Sequence, residues 1–210
     1  MNEAVQPFEL TSANLEREHS RARTKAWPQN ARVMGLGHVF LGDDGFGSAV
    51  IETFRCKYAC GPAVEVLDLG TPGLDLAPYL YSTDLVILAD CVEVDAEPGS
   101  LRVYREGDIR TGRTDLRLTA HDPGLQECLV QLKLVGRAPS ELLIVGVVPE
   151  SCDFGQAISS VVVGACATAA DTIACLLADH GIECLPRRAP VSPNVWWLEK
   201  SSGMGPGAAT

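Results

Sequence analysis

The sequence lacks an excess of positive charge and lacks the cysteine spacing of a structural zinc site. Its 210 residues carry 17 Lys and Arg against 27 Asp and Glu, for a formal net charge of −10. Such a chain has no protein-wide positive field to hold phosphate backbones, so nucleic acid is not an expected partner. Cys56 and Cys60 form a close pair in the sequence, but no second close pair follows at the spacing of a zinc finger. This argues against a structural zinc site.

The first thirty residues also lack the apolar core of a secretory signal. The eight cysteines are therefore expected to be reduced thiols in the cytoplasm, most of them small buried apolar residues. The longest apolar stretch, from Ala157 to Ala178, is nearly long enough to cross a membrane, but it is rich in Ala, Ser and Thr and contains Asp171. Its helical periodicity predicts a soluble core helix, and no membrane partner is expected.

The residues that are present predict one domain with a tail at each end. A chain that is 46% apolar can bury one good core. Residues 1–30 mix acidic and basic side chains with little apolar periodicity, which predicts a mobile N-terminal extension. From about Pro186 the sequence turns to Pro, Ser and Gly, which predicts a flexible tail over residues 186–210. The ordered domain is expected over residues 31–185, as a monomer.

Short apolar runs alternate with helical patterns inside that domain. Strands are predicted at residues 32–36, 64–69, 84–89, 100–104 and 141–148. Helices are predicted to begin near Gly45, Thr71, Asp122 and Gln156. This alternation predicts a single α/β domain, with a mostly parallel twisted sheet of about five strands and helices on both faces. In such sheets, ligands bind beyond the carboxyl ends of the strands.

The loop after the first strand only partly matches a dinucleotide-binding glycine turn. The third glycine of G-x-G-x-x-G would be residue 40, which is Phe40, and the acids Asp43 and Asp44 would repel a pyrophosphate. A nucleotide-binding α/β protein is therefore the less favoured alternative. Both acids precede a helix, where a carboxylate can cap free N–H groups. We expect one of them to be that cap and the other to face the cleft.

Two further residues at predicted element ends can carry chemistry. The apolar run 85–89 ends at Asp90, which is expected to face the cleft or solvent, with capping of a turn as the alternative. His121 precedes Asp122 and Pro123, which predict the start of an amphipathic helix. The positive end of that helix disfavours imidazolium, so the neutral ring can donate a lone pair to a metal. Together with an acid after the first strand, these residues suit a divalent transition metal with open positions.

The pattern Gly35-x-Gly37-x-x-x-Leu41-x-Asp43-Asp44-Gly45-x-Gly47 resembles the amino-terminal signature of the nickel-iron hydrogenase maturation proteases. Further segments match that family in order: Asp68-Leu69-Gly70-Thr71-Pro72-Gly73, Ala89-Asp90, His121 and Val145-Gly146-Val147-Val148-Pro149-Glu150. Several separated motifs over most of the predicted domain are much more specific than one glycine pattern.

The resemblance implies a metal-dependent endopeptidase that removes the C-terminal extension of a hydrogenase large-subunit precursor after nickel insertion. Asp44, Asp90 and His121 would be its nickel-binding and catalytic residues. The nickel is expected to arrive with the substrate and either to position the scissile bond or to polarise its carbonyl or a water. A non-enzymatic nickel-binding accessory protein with the same ligands is the alternative.

Three positions near the expected site need separate interpretation. His38 stands where the family usually has asparagine, and we expect a neutral hydrogen-bonding substitute rather than an extra ligand. Asp44 stands where many relatives have glutamate, and its shorter side chain preserves the oxygen ligand but brings a metal closer to the backbone. Cys91 follows Asp90, but strand alternation should point it away from that acid, which disfavours a cysteine nucleophile.

Overall fold

The computed structural model describes residues 28–110, 117–118, 122–189 and 191. Its strands are β1 (Ala31–Leu36), β2 (Tyr58–Cys60), β3 (Val64–Gly70), β4 (Leu85–Glu93), β5 (Leu101–Arg105), β6 (Arg117–Leu118), β7 (Glu141–Val147) and β8 (Cys184–Pro186). Its helices are α1 (Phe46–Lys57), α2 (Ala77–Leu80), α3 (Glu106–Arg110), α4 (Asp122–Leu134) and α5 (Ser160–Asp179), with 3₁₀ turns at Gly42–Gly45 and Gly73–Leu76. The expected N-terminal extension, most of the C-terminal tail and His121 lie outside the described residues.

The main sheet has the strand order β3-β1-β4-β7-β5, with β6 paired to the end of β4. Strand β1 runs parallel to both β3 and β4, and β4 runs parallel to β7, whereas β5 is antiparallel to β7. The prediction of a mostly parallel sheet is confirmed. Strands β1, β4 and β7 are almost entirely buried because helices cover both of their faces.

Alternation along β4 divides the apolar core into two layers. Leu85, Ile87, Ala89 and Cys91 pack with α1 and α5 on one face of the sheet. Val86, Leu88 and Val92 point to the other face, where α2 and α4 cover them. Successive side chains of a strand alternate between faces, so a single strand supplies both layers.

Helix α5 is the long apolar helix predicted from the sequence. By length and composition alone it could cross a membrane. It instead packs against α1 through buried residues such as Val162, Ala169, Ile173 and Leu177, which is the arrangement of a core helix. It begins at Ser160 rather than near Gln156 because the Ser159 side chain accepts a hydrogen bond from the N–H of Val162 as the N-cap.

Strand β4 is longer than predicted, which changes the setting of Asp90. Pairing with β1 stops at Gly35 and Ala89, but pairing with β7 continues through Asp90 and Cys91. The prediction that the strand ends before Asp90 was therefore wrong. Asp90 lies within the strand and is 1% exposed, so it faces the protein interior rather than solvent.

The expectation that the cysteines are all reduced was also wrong. Cys60 and Cys184 form a disulfide across 124 residues of sequence, with 4.2 Å between their Cα atoms. Strands β2 and β8 form a small antiparallel pair that places these two cysteines directly opposite each other. Neither strand is evident from local sequence periodicity. The remaining six cysteines are free, and Cys91, Cys128 and Cys166 are buried as expected.

Candidate active site

The glycines after β1 allow the start of α1 to pack directly on strand backbone. A Cβ atom at Gly47 would lie 2.0 Å from the Leu36 carbonyl oxygen and 2.6 Å from that of Ala89. At Gly42, which has a φ of 55°, a Cβ atom would lie 2.6 Å from the Ser151 carbonyl oxygen. Glycine is required at both positions by close approach. These glycines therefore have a packing role and need no bound nucleotide to explain them.

Asp43 is fully buried and anchors the segment that follows β7. Its carboxylate accepts hydrogen bonds from Glu150 N at 2.7 Å, Ser151 N at 3.3 Å, Ser159 N at 2.6 Å and Ser159 Oγ at 3.0 Å. No side chain caps the adjoining 3₁₀ turn or α1. The prediction that one of the two acids caps its own helix was wrong, because Asp43 instead fixes the N-cap residue of α5.

Asp44 is 2% exposed, and its carboxylate is oriented by the turn that precedes it. Its Oδ2 accepts a hydrogen bond of 2.7 Å from His38 N. The ring of His38 is engaged locally, since its Nδ1 accepts a bond of 3.2 Å from Phe40 N. The His38 ring therefore accepts a hydrogen bond within its own turn, and its role toward a metal stays a prediction.

Asp90 lies beside the end of β1, on the face of the sheet covered by α4. Its Oδ1 accepts a hydrogen bond of 2.8 Å from Cys91 N. A hydrogen bond to Cys152 and burial raise the pKa of the Cys91 thiol, and the charges of Asp90 and Asp44 raise it further. Cys91 Sγ also lies 2.9 Å from the Asp43 carbonyl oxygen, so the turn that carries Asp44 packs against the strand that carries Asp90. The structure brings these two predicted ligands to one neighbourhood.

The third predicted ligand, His121, lies outside the described residues, so its position is not part of this geometry. Helix α4 follows it and contacts the turn at Gly73–Leu76, where Cys128 Sγ lies 3.5 Å from the Leu74 carbonyl oxygen. Within the described part of the chain, no three His, Cys, Asp or Glu side chains are arranged to hold a metal. A complete ligand set would need a further group from His121 or from a substrate.

The thiol of Cys91 is unsuited to nucleophilic attack. It is fully buried on the α1 and α5 face, opposite the face that Asp90 occupies. The shift of its pKa keeps it protonated, whereas the Cys91 S–H lowers the pKa of Cys152 by stabilising the Cys152 thiolate. The prediction that Cys91 points away from Asp90 is confirmed.

A groove of about 480 Å³ lies between residues 37–40 and 68–71 at the carboxyl ends of β1 and β3. That volume lies in the usual range of ligand sites. Gly37 N donates to the Gly70 carbonyl oxygen at 2.9 Å, which ties its two walls together. On one wall, Ser48 Oγ donates to Asp68 Oδ1 at 2.8 Å. No chemical role was predicted for Asp68, although its place near the end of a strand follows the rule that singled out Asp90.

Comparisons with known proteins agree with this architecture. The chain matches the family described as hydrogenase maturation protease over residues 48–175. It is 32% identical over 161 residues to the hydrogenase expression/formation protein HupD of Bradyrhizobium diazoefficiens, covering 76% of this chain and 84% of that protein. It is 30% identical over 158 residues to the hydrogenase 2 maturation protease of Escherichia coli K12, covering 75% of this chain and 96% of that protein.

A solved structure extends the likeness to the fold. The hydrogenase maturating endopeptidase HybD from E. coli matches with a TM-score of 0.68 at 28% identity, over 75% of this chain and 98% of that one. Fold and site together define a single-domain α/β protein with buried acids at the carboxyl ends of parallel strands. The chain belongs to the hydrogenase maturation protease family.

Proposed function

We propose that this protein is a cytoplasmic endopeptidase that removes the C-terminal extension of a nickel-iron hydrogenase large-subunit precursor after nickel insertion. The observation that carries the proposal is the pair Asp44 and Asp90. Asp44 is buried in the 3₁₀ turn that follows β1, and Asp90 is buried in the last part of the neighbouring parallel strand β4, in a member of a protease family. Open α/β sheets bind their ligands at that edge.

The nickel belongs to the substrate in this proposal. Asp44 and Asp90 offer carboxylate oxygens and His121 offers an imidazole nitrogen, which together leave coordination positions open. An incomplete set suits a metal that the precursor already holds by its own ligands. Capture of that metal fixes the adjoining scissile bond for attack by water, and the metal's charge can also polarise the carbonyl or the water.

The two carboxylates are held in place before substrate arrives. Asp44 is oriented by His38 N and Asp90 by Cys91 N, both through hydrogen bonds shorter than 3 Å. Burial and these hydrogen bonds fix both side chains in advance. Little free energy is therefore spent on orienting them when the metal binds. The groove beside His38 is in position to receive the chain next to the scissile bond.

Cleavage of a defined precursor tests the proposal directly. The purified protein is incubated with nickel-loaded and with nickel-free large-subunit precursor, and intact masses of the products are measured. We expect the nickel-loaded precursor alone to yield a shortened subunit and one released C-terminal peptide. An intact nickel-loaded precursor would contradict protease activity, and retention of nickel without cleavage would favour the accessory protein.

Variants of the three predicted ligands test the site. Loss of a group that only supports a metal ligand lowers metal affinity or activity about 10-fold to 100-fold. Loss of a ligand itself should cost more. We therefore expect Asp44→Asn, Asp90→Asn and His121→Ala each to reduce the cleavage rate at least about 100-fold. Thermal unfolding shows whether each variant remains folded. Asp75→Asn is the matched control, because it removes the same charge from an exposed acid in the turn after β3. Cleavage by folded Asp90→Asn and His121→Ala would show that the assigned ligands are wrong.

A further inference from the structure

The ring of His38 presents a hydrogen-bond donor beside the candidate site. Its Nδ1 accepts a hydrogen bond of 3.2 Å from Phe40 N, and a ring nitrogen can accept such a bond only when it carries no hydrogen. The hydrogen of the neutral ring is therefore on Nε2, which points away from Phe40 N. The two rings also pack together with 5.7 Å between their centroids, a usual spacing for aromatic pairs. The N–H donor of His38 thus has a defined direction.

Hydrogen bonds at three points hold the loop that carries this donor. His38 N donates to Asp44 Oδ2 at 2.7 Å. Leu41 N donates to the His38 carbonyl oxygen at 2.9 Å, and Gly155 N donates to the Phe40 carbonyl oxygen at 2.8 Å. A donor that is held in place before its partner arrives loses little free energy to reorganisation on binding. His38 is therefore suited to bind a second molecule with its ring while its main chain orients Asp44.

The ring belongs to the wall of the groove of about 480 Å³ that lies between residues 37–40 and 68–71. His38 is half-buried there, and Phe40 and Leu69 give the same groove an apolar surface. A peptide in the groove has a carbonyl oxygen at every residue, so it offers an acceptor to Nε2–H whatever its sequence. His38 thus links the groove to the predicted metal ligand that its main chain orients, and a chain bound in the groove lies next to that ligand.

We propose that His38 Nε2–H donates a hydrogen bond to a main-chain carbonyl oxygen of the C-terminal extension, just beyond the scissile bond, and so holds the precursor in register for cleavage. The proposal rests on the function proposed above and adds the group that binds the extension. Before the scissile bond, the precursor chain is held near the nickel by the subunit's own ligands. The extension is the part of the chain that leaves the metal, so it is the part that a groove beside Asp44 can receive.

The two substitutions His38→Leu and His38→Gln separate the donor from the rest of the ring. Both remove Nδ1 and with it the acceptor of Phe40 N. The amide nitrogen of Gln lies as many bonds from Cβ as Nε2 does, so Gln restores a donor, whereas Leu has none. A bond that forms when the substrate binds and persists during cleavage affects KM and leaves kcat nearly unchanged.

Steady-state cleavage of nickel-loaded precursor tests the donor. We expect His38→Leu to raise KM about 10-fold, the size of one hydrogen bond, and His38→Gln to stay within about 3-fold of wild type. The kcat of both should stay within about 2-fold. Thermal unfolding verifies that each variant is folded, and His38→Ala replaces His38→Leu if the latter does not fold. Equal rises of KM in the two variants, an unchanged KM in His38→Leu or a loss confined to kcat overturns the proposal.

Product inhibition tests whether the extension is the partner of His38. The nickel-containing subunit made without its extension lacks the carbonyl group that the proposal requires. Its inhibition constant should therefore be the same, within about 2-fold, for wild type and His38→Leu. Equal weakening of precursor and extension-free subunit would show that His38 acts only through Asp44 or the metal, and would overturn the proposal.

Two further measurements do not depend on cleavage. Imidazole ¹⁵N NMR of the full-length protein, with His38→Gln to identify the His38 signals, should show the hydrogen on Nε2, and a hydrogen on Nδ1 overturns the proposal. If wild type leaves the nickel-loaded precursor intact, the protease function fails. Calorimetry then compares the dissociation constants of wild type and His38→Leu for the precursor and for the extension-free subunit. Binding that is about 10-fold weaker for the precursor alone supports the proposed contact, and any other pattern overturns it.

Discussion

The two ends of the parallel sheet hold their acidic side chains in different ways. At the carboxyl end, buried Asp43 accepts four hydrogen bonds from uncharged N–H and O–H donors. At the amino end, partly exposed acids pair with cations, as in Lys57 with Asp171 at 2.6 Å and Arg32 with Glu65 at 2.9 Å. Neutral donors stabilise a carboxylate without cancelling its charge. The carboxyl end can therefore keep a negative field for a metal, whereas these two acids at the amino end are neutralised by their cations.

Burial makes the two arrangements unequal in energy. A hydrogen bond to a buried charged group contributes about 1.5–3 kcal/mol, whereas an exposed ion pair contributes about 0–1 kcal/mol. We therefore expect substitutions at the carboxyl end to cost more stability than loss of an exposed ion pair at the amino end. Four sets of measurements test that contrast.

The largest effect is expected for Asp43→Ala. The substitution leaves the part-buried N–H groups of Glu150 and Ser159 without their acceptor and frees the start of α5. We expect a loss of about 3–5 kcal/mol in the free energy of unfolding, measured by urea denaturation. Asp43→Asn retains one carbonyl oxygen as an acceptor and should fall between wild type and Asp43→Ala. A loss below about 1 kcal/mol for Asp43→Ala would show that Asp43 does not anchor the loop.

A smaller effect is expected from the disulfide at the amino end. The Cys60–Cys184 bond closes a loop of 124 residues and so restricts the unfolded chain strongly. C60S/C184S should lose about 2–4 kcal/mol relative to the oxidised wild type, and reduced wild type should match the variant. Cleavage should persist in the variant because the bond lies away from the predicted ligands. The control is Cys175→Ser, whose stability should stay near that of wild type.

The difference between the two ends also explains what the sequence could and could not predict. Periodicity located the strands and the core helix because those signals are local. The rule that ligands bind beyond the carboxyl ends of parallel strands pointed to Asp44 and Asp90. Asp44 follows the buried strand β1, and Asp90 follows the apolar run of β4. The partners of Asp43 lie more than 100 residues away in sequence, at Glu150 and Ser159, so no local sequence pattern predicts them.

The same reason accounts for the two errors over β4 and the cysteines. Asp90 looked like the end of a strand because a charged residue follows an apolar run, yet β7 continues to pair with the backbone there. The disulfide depends on the meeting of β2 and β8, each three residues long. Such short strands carry almost no periodic signal, and only the packing of α1 and α5 brings them together.

The third prediction concerns Arg32, a cation at the amino end that has several hydrogen-bond partners. Its guanidinium donates to the Tyr79 carbonyl oxygen at 2.7 Å and to Thr83 Oγ at 2.8 Å, in addition to the pair with Glu65. Arg32→Ala should cost about 1–2 kcal/mol because it removes part-buried hydrogen bonds. Glu65→Gln removes only the exposed ion pair and should cost less than about 1 kcal/mol. Equal losses of unfolding free energy in Arg32→Ala and Glu65→Gln, measured by urea denaturation, would contradict the larger contribution of the part-buried hydrogen bonds.

The smallest effect is expected at Tyr58, whose hydroxyl donates to Asp171 Oδ1 at 2.6 Å. This hydrogen bond, followed by burial and the negative charge of Asp171, raises the pKa of Tyr58 to about 12. The folded pKa lies above the unfolded value, so the stabilisation is complete below about pH 10 and is lost as the pH rises through the folded pKa. Titration of phenolate absorbance should show the late-ionising tyrosine in wild type.

Asp171→Asn should move that ionisation to lower pH, because the amide accepts a weaker hydrogen bond and carries no charge. The pair is half-exposed, so the accompanying change in unfolding free energy should stay below about 1 kcal/mol at neutral pH. Both measurements are repeated at high salt. Screening should weaken the contribution of this exposed cluster, whereas the cost of Asp43→Ala should persist because the Asp43 side chain is fully buried. Equal salt dependence at both ends would show that their acids are not held differently.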